Sequence, residues 1–192
     1  MATPKYLAHW EVLKVLEAAK RTSTRDWLVV LLGYRYGLRA QELASLTLES
    51  IKGGVIRVER LKGSDNTTDP ITSDSNPLLN VQAVLSAYLS ERAAETSQFL
   101  FVSHLGSGLS RRSVFNIFED AAFHAGIEAG RRNPPILKHS LCVTLRKSGA
   151  SIETIAKTVG HRSYETTFRY YAHVDRAECQ SAVAAAFAQC AA

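Results

Sequence analysis

Residues 53–71 read GGVIRVERLKGSDNTTDPI. Gly53-Gly54 makes a turn, and Val55 to Leu61 alternates apolar and polar side chains, the two-residue period of a strand with one face on a core. Gly63-Ser64-Asp65-Asn66 is turn chemistry again, and Thr67 to Ile71 returns as the partner strand. The stretch predicts an antiparallel hairpin with Lys62 at or beside its tip.

Around this hairpin the period is helical. On its amino-terminal side Thr3-Pro4 is a helix-entry signal, followed by Trp10, Leu13, Val15, Leu16 and Ala19 at helical spacing. A second helix is predicted from about Thr24 to Tyr36, where Trp27, Val30, Leu31 and Tyr34 recur and Gly37 stops it. A third runs from about Ala40 to Leu46. Beyond the hairpin a helix is predicted from about Leu78 to Ala94, and Phe99 to Val102 is either a small strand or the approach to the next helix. Ser110 reads as the N-cap of a helix through Ala125, ended by Gly126. A basic, proline-punctuated loop from Arg131 to Pro135 leads to helices near Leu137–Lys147, Ile152–Val159 and Tyr164–Tyr171, with a last one at about Arg176 to Ala188. The expectation is a mainly α fold with a small antiparallel β-sheet (α+β), in one domain over residues 1–192.

Composition narrows the function. The chain has 192 residues, and 23 Lys+Arg against 18 Asp+Glu leave a net charge of +5. Hydrophobic residues make up 46%, which excludes wholesale disorder. The longest apolar stretch, Trp27 to Gly33, is far too short to span a membrane. Cys142, Cys179 and Cys190 have no close pair and no histidine partner, which argues against a disulfide framework or a zinc site. These features point to a soluble, intracellular chain whose basic residues cluster, Arg57, Arg60 and Lys62 among them, mostly at element ends and in turns, where cations can reach a phosphate backbone.

Three segments carry candidate chemistry. Arg39 follows a glycine break and precedes a helix, so its guanidinium can project from a helix start; it can equally pair with Glu42 three positions on. Lys62 lies beside the hairpin turn. In the third segment His161 follows Gly160, and Tyr170 falls nine residues later, with Tyr171 beside it.

Together these segments resemble the catalytic domain of the tyrosine recombinases, the phage integrase family. The matching phrases are GLRAQEL, VERLKGSDNTTDPI and LKHSLCVTLRKSGASIETIAKTVGHRSYETTFRYYAH, in the family's order, and the likeness runs from about Tyr6 to His173. Most members carry a DNA-clamping domain ahead of the catalytic one, for which this length has no room. In that respect the chain is similar to the catalytic-domain-only fimbrial phase-variation invertases.

The resemblance implies that Tyr170 attacks a DNA phosphodiester and holds the strand as a 3′-phosphotyrosine, releasing a 5′-hydroxyl. Arg39 would clamp non-bridging oxygens, Lys62 would protonate the departing 5′-oxygen, His161 would donate to the phosphate, and Glu42 would orient Arg39. No cofactor and no metal is implied. The second motif of the family, His-x-x-Arg followed by His, is where the sequence departs. The ungapped alignment puts Pro135 at the histidine, Lys138 at the arginine and His139 next. A shifted register makes His139 the histidine and puts Cys142 at the arginine. Lys138 keeps a positive charge but not the planar two-point grip of a guanidinium.

The implied partner is double-stranded DNA, contacted by Arg21, Arg25, Arg111, Arg112, Arg131 and Arg132, with the exposed face of the Ser110–Ala125 helix as the first place to seek base contacts. The family further implies a tetramer on two DNA sites, assembled by residues 176–192 docking on a neighbour, accessory DNA-bending proteins, and a cytoplasmic protein of prokaryotic, phage or plasmid origin. The competing reading, supported by Pro135 and Lys138, is a DNA-binding accessory or regulatory protein that keeps the fold without the chemistry.

Overall fold

A computed structural model describes residues 6–61, 63–92 and 96–163. Thr3-Pro4, Lys62, the end of the helix predicted to Ala94, and everything from Tyr164 on, including Tyr170, Tyr171 and the helix predicted near 176–188, lie outside the described residues.

Helices α1 (His9–Thr22) and α2 (Thr24–Arg35) meet at Ser23. That residue closes the first helix with its backbone N–H and caps the second, its hydroxyl accepting from the Asp26 N–H at 3.0 Å. α1 buries Val12, Val15, Leu16 and Ala19. Trp10, grouped with that face by its spacing, is instead 60% exposed and lies under the Lys14 ammonium. α2 is the central helix, with Leu28 to Leu32 all but fully buried.

The chain then turns through α3 (Ala40–Ser45) and a 3-10 segment at Glu49–Gly54 into the hairpin, β1 (Val55–Val58) with β2 (Thr67–Pro70), paired antiparallel from Val55–Pro70 to Val58–Thr67. The strand predicted to Leu61 stops at Val58 because the side chain of Asn66 takes the ladder position, its Oδ1 accepting from the Arg60 N–H at 2.9 Å. The helix predicted from Leu78 is split. A 3-10 turn covers Pro77–Leu79, and α4 (Val81–Glu91) begins only after Asn80, whose Oδ1 caps it through the Ala83 N–H. The apolar run at 99–102 forms isolated bridges, Thr47 with Phe99 and Val102 with Gly108, and buries Leu100 and Phe101.

Helix α5 (Arg111–His124) starts at the predicted Ser110 cap. α6 (Pro135–Lys147) starts two residues earlier than predicted, with Pro135 as its first residue, where a missing N–H costs no intrahelical bond. α7 (Ile152–Thr158) closes the described chain. The core is one apolar cluster around α2, drawing on α1, α4, α5, α6 and the buried face of β1.

Candidate active site

Two of the candidate residues are placed by the same local device. α2 ends with Gly37 at φ +59, the Gly37 N–H on the Tyr34 carbonyl and the Leu38 N–H on the Gly33 carbonyl. α7 ends likewise: Gly160 has φ +68, its N–H meets the Lys157 carbonyl, and the His161 N–H meets the Ala156 carbonyl at 2.8 Å. Both are the left-handed glycine stop that reverses the chain at a helix end. Arg39 leaves the first as the N-cap of α3, with Glu42 reaching back to accept its N–H at 2.8 Å. His161 leaves the second. Gly37 is also needed for space, since a Cβ there would sit 3.0 Å from Val159 Cγ1.

The hairpin is joined to both turns. Ser64 forms an isolated bridge with His161, and the Asp65 N–H donates to the Gly160 carbonyl at 3.0 Å. Gly160 is again the residue that fits, because a Cβ would lie 2.7 Å from the Asp65 carbonyl oxygen. The Ser64 hydroxyl accepts from the Arg39 guanidinium at 3.1 Å. The loop that carries Lys62 is thus held between Arg39 and His161, with Lys62 itself outside the described residues.

Arg39, Lys138, His139, His161, Arg111 and Pro135 line one cavity of about 690 Å³. Arg39 is 36% exposed and donates to Glu42 Oε1 at 2.9 Å. The Glu42 carboxylate is fully buried and also accepts from Arg60 at 3.1 Å and from the Leu61 N–H at 3.3 Å. Burial alone would raise the Glu42 pKa, but the hydrogen bonds from Arg39 and Leu61 and the Arg60 charge hold it below its usual value. Glu42 therefore stays ionised and fixes Arg39 from behind.

Lys138 is buried, and its Nζ donates to the Val159 carbonyl at 2.7 Å. Burial, with the charges of Arg39 and Arg60 adding to it, pushes its pKa down to about 7. His161 is lowered to about 4 by burial first, then by Lys138, Arg39, His139 and Arg60. At neutral pH it is an uncharged imidazole with one N–H to donate.

The six arginines proposed to touch DNA divide by environment. Arg111 lines the cavity with Arg39, and Arg112 is exposed on α5 with its guanidinium over the Phe115 ring. Arg21 is exposed on α1, 3.8 Å from Glu17. Arg25 pairs with Asp26 and the Val102 carbonyl and lines a different cleft, between α1, α2, α5 and the 103–110 segment. Arg131 is turned inward: 14% exposed, it donates to both Glu11 oxygens, at 2.6 and 2.9 Å, and to the Tyr6 carbonyl. Arg132 donates to the Ile127 carbonyl at 2.6 Å and stacks on Phe123. Arg60, grouped by the sequence with the solvent-facing cations, is the largest departure, since its side chain is fully buried. The signal was present in the alternation, which puts Ile56, Val58 and Arg60 on one face.

No group of three or more metal-ligating side chains occurs among the described residues. None of the described helices is long and apolar enough to cross a membrane.

The cationic cavity is built from a helix start, a hairpin and a glycine-stopped helix end in a mainly helical domain, the arrangement that the resemblance to tyrosine recombinase catalytic domains led us to expect. The chain belongs to the phage integrase family, whose profile matches residues 5–178. It is 32% identical over 183 residues to the type 1 fimbriae regulatory protein FimE of Escherichia coli K12, a match covering 90% of this chain and 87% of that one. It is 34% identical over 172 residues to the tyrosine recombinase XerA of Pyrococcus furiosus, covering 87% of this chain and 57% of XerA. Among solved structures, the XerH site-specific recombinase bound to its difH substrate superposes with a TM-score of 0.77 at 20% identity, over 95% of this chain and 55% of that one. The chain thus spans little more than half of the Xer proteins and most of the fimbrial one. These relatives favour the enzyme over the accessory-protein reading.

Proposed function

We propose that the chain breaks and rejoins duplex DNA at specific sites, with Tyr170 as nucleophile. The observation that carries this reading is the convergence of Arg39, Lys138 and His161 on one cavity, from three distant segments. Such a site offers two cations and a neutral donor to a phosphate that becomes more anionic as it is attacked. In the step itself the Tyr170 oxygen bonds to phosphorus, the bond to the 5′-oxygen breaks, and Lys62 gives that oxygen its proton, while the phenolic proton leaves to solvent. The phosphotyrosine keeps the bond energy for rejoining when a 5′-hydroxyl attacks in reverse. Arg39 grips the phosphate while Glu42 holds its other face. His161 donates, and His139, on the same wall, is the nearest candidate to replace the proton-handling group that Pro135 lacks.

Arg21 on α1 and Arg111 and Arg112 on α5 are the best placed of the arginines to meet the DNA backbone, with Asn116 also exposed on α5. A tetramer on two sites, with residues 176–192 docked on a neighbour, follows from the family likeness, as does action on DNA in a prokaryotic cytoplasm with help from DNA-bending proteins.

The test is a set of nicked duplexes carrying the recognised site, which trap a covalent 3′-linked complex. A band shifted on a denaturing gel, abolished by Tyr170→Phe and retained by Tyr171→Phe, is the expected result. No adduct from protein that binds the same duplexes would overturn the reading.

A further inference from the structure

We propose that Arg60 is a positioning residue for the strand-cleavage reaction, setting the Lys62 hairpin against Arg39. Its guanidinium is fully buried, and its hydrogen-bond partners among the described residues belong to the two segments it joins. On the Arg39 side, one Nη donates to the Gly37 carbonyl at 3.1 Å and to Glu42 Oε2 at 3.1 Å, and the other to the Tyr36 carbonyl at 2.9 Å. On the hairpin side, Nε and an Nη both reach the Thr67 hydroxyl, at 3.2 and 3.0 Å.

The backbone of Arg60 matters as much as its head group. It stands two residues before Lys62, and its N–H is pinned by Asn66 from across the loop. The planar fork therefore fixes both the base of the Lys62 loop and the glycine turn from which Arg39 emerges. A buried ion pair gives little net stability over an apolar pair of the same shape, so stability alone is a weak reason for a charge here. A rigid, multi-donor link between two reacting groups is a better one, because small misplacements of a catalytic group cost rate steeply. Asp69 on β2 supplies a second negative charge towards Arg60, next to that of Glu42.

This inference rests on the reading of Lys62 as proton donor and Tyr170 as nucleophile, and its test separates the two. Arg60→Lys keeps the charge opposite Glu42 but cannot reach all the acceptors. It is compared with the unmodified protein on a cleavable duplex and on the same duplex with sulfur replacing the bridging 5′-oxygen. A departing thiolate needs no proton, so the sulfur substrate bypasses Lys62. Arg60→Lys is expected to form adduct about a hundredfold more slowly on the oxygen substrate, the scale of a lost general acid, and to recover most of that on sulfur. DNA affinity is expected to stay within about twofold, since the Arg60 side chain is fully buried.

Equal loss on both substrates, or no loss on either, overturns the inference. Thr67→Val provides the second arm, because it cuts only the hairpin side of the link without stranding a charge. It is expected to lose several-fold on oxygen and little on sulfur, and the same rate as wild type on both would count against the proposal even if Arg60→Lys did not fold. An absence of adduct from the unmodified protein on either substrate would instead strike the underlying reading.

Discussion

The ammonium of Lys138 donates to the carbonyl of Val159 at 2.7 Å, two residues before His161. Lys138, which the ungapped alignment sets at the family's arginine position, is therefore tied to the turn that presents His161. Its charge is set by its surroundings: burial, Arg39 and Arg60 disfavour the ammonium, Glu42 and Cys142 favour it, and the outcome is a pKa near 7.

That placement predicts pH-dependent cleavage. Lys138 is charged below about 7 and neutral above it. Adduct formation should fall as pH rises through that value, approaching tenfold per unit, relative to Lys138→Arg, whose charge persists. A pH series of single-turnover cleavage by both proteins checks this, and parallel profiles would contradict it. Stability runs the other way. The unfolded lysine holds its proton up to about 10.4, so between that value and 7 the unfolded chain binds more protons and folding gains stability as pH rises. Urea midpoints of wild type and Lys138→Met should therefore converge with increasing pH over that window.

Glu42 is a fully buried carboxylate serving two arginines and two backbone donors. Replacing it by Gln leaves the Arg60 charge buried without its partner, which is expected to cost about 3–5 kcal/mol. Equilibrium unfolding in urea reads this directly.

Gly160 and Gly149 both end helices in the left-handed region, at φ +68 and +87, but only Gly160 is crowded, by the Asp65 carbonyl. Alanine at Gly149 should cost about 1 kcal/mol for the backbone alone. At Gly160 it must also push the hairpin away, so cleavage should fall far more than stability explains. Rates and urea midpoints of the two variants, side by side, separate those effects.

The arginines should split in a salt titration of DNA binding. Removing exposed Arg111 or Arg112 is expected to reduce the slope of log affinity against log salt by about one each. Arg131→Ala should leave the slope nearly unchanged and lower stability instead, because its charge is spent on Glu11 and the Tyr6 carbonyl. A slope change for Arg131 matching that for Arg112 would place it on the DNA.

Much of the fold was legible because its signals are local. The Gly37 and Gly126 stops, the Ser110 cap and the hairpin alternation each involve groups within a few residues of one another, and each sits where the sequence put it. The failures have a local cause as well. Asn66 ended the first strand and Asn80 split a predicted helix, since a short amide side chain can take the place of a backbone partner. Trp10 was grouped with the apolar residues of α1, but at about 100° per residue it stands on the side of the helix opposite Val12, Val15, Leu16 and Ala19, and it faces solvent.

The sequence by itself determined the order of elements, the family, and the turns from which Arg39 and His161 emerge, because capping and glycine stops are satisfied by near neighbours in the chain. Only the tertiary structure decided what the charges do. Arg60 and Arg131 read as surface cations and became internal links, while Lys138 lines the cavity and also holds the Val159 carbonyl, a contact that only the packing of α6 against the end of α7 creates. Apart from Thr67, seven residues from Arg60, the partners of these side chains lie 18 to 125 residues away. The effect of a charge depends on how much water it keeps and which opposite charge replaces that water, and both are fixed only when distant segments pack.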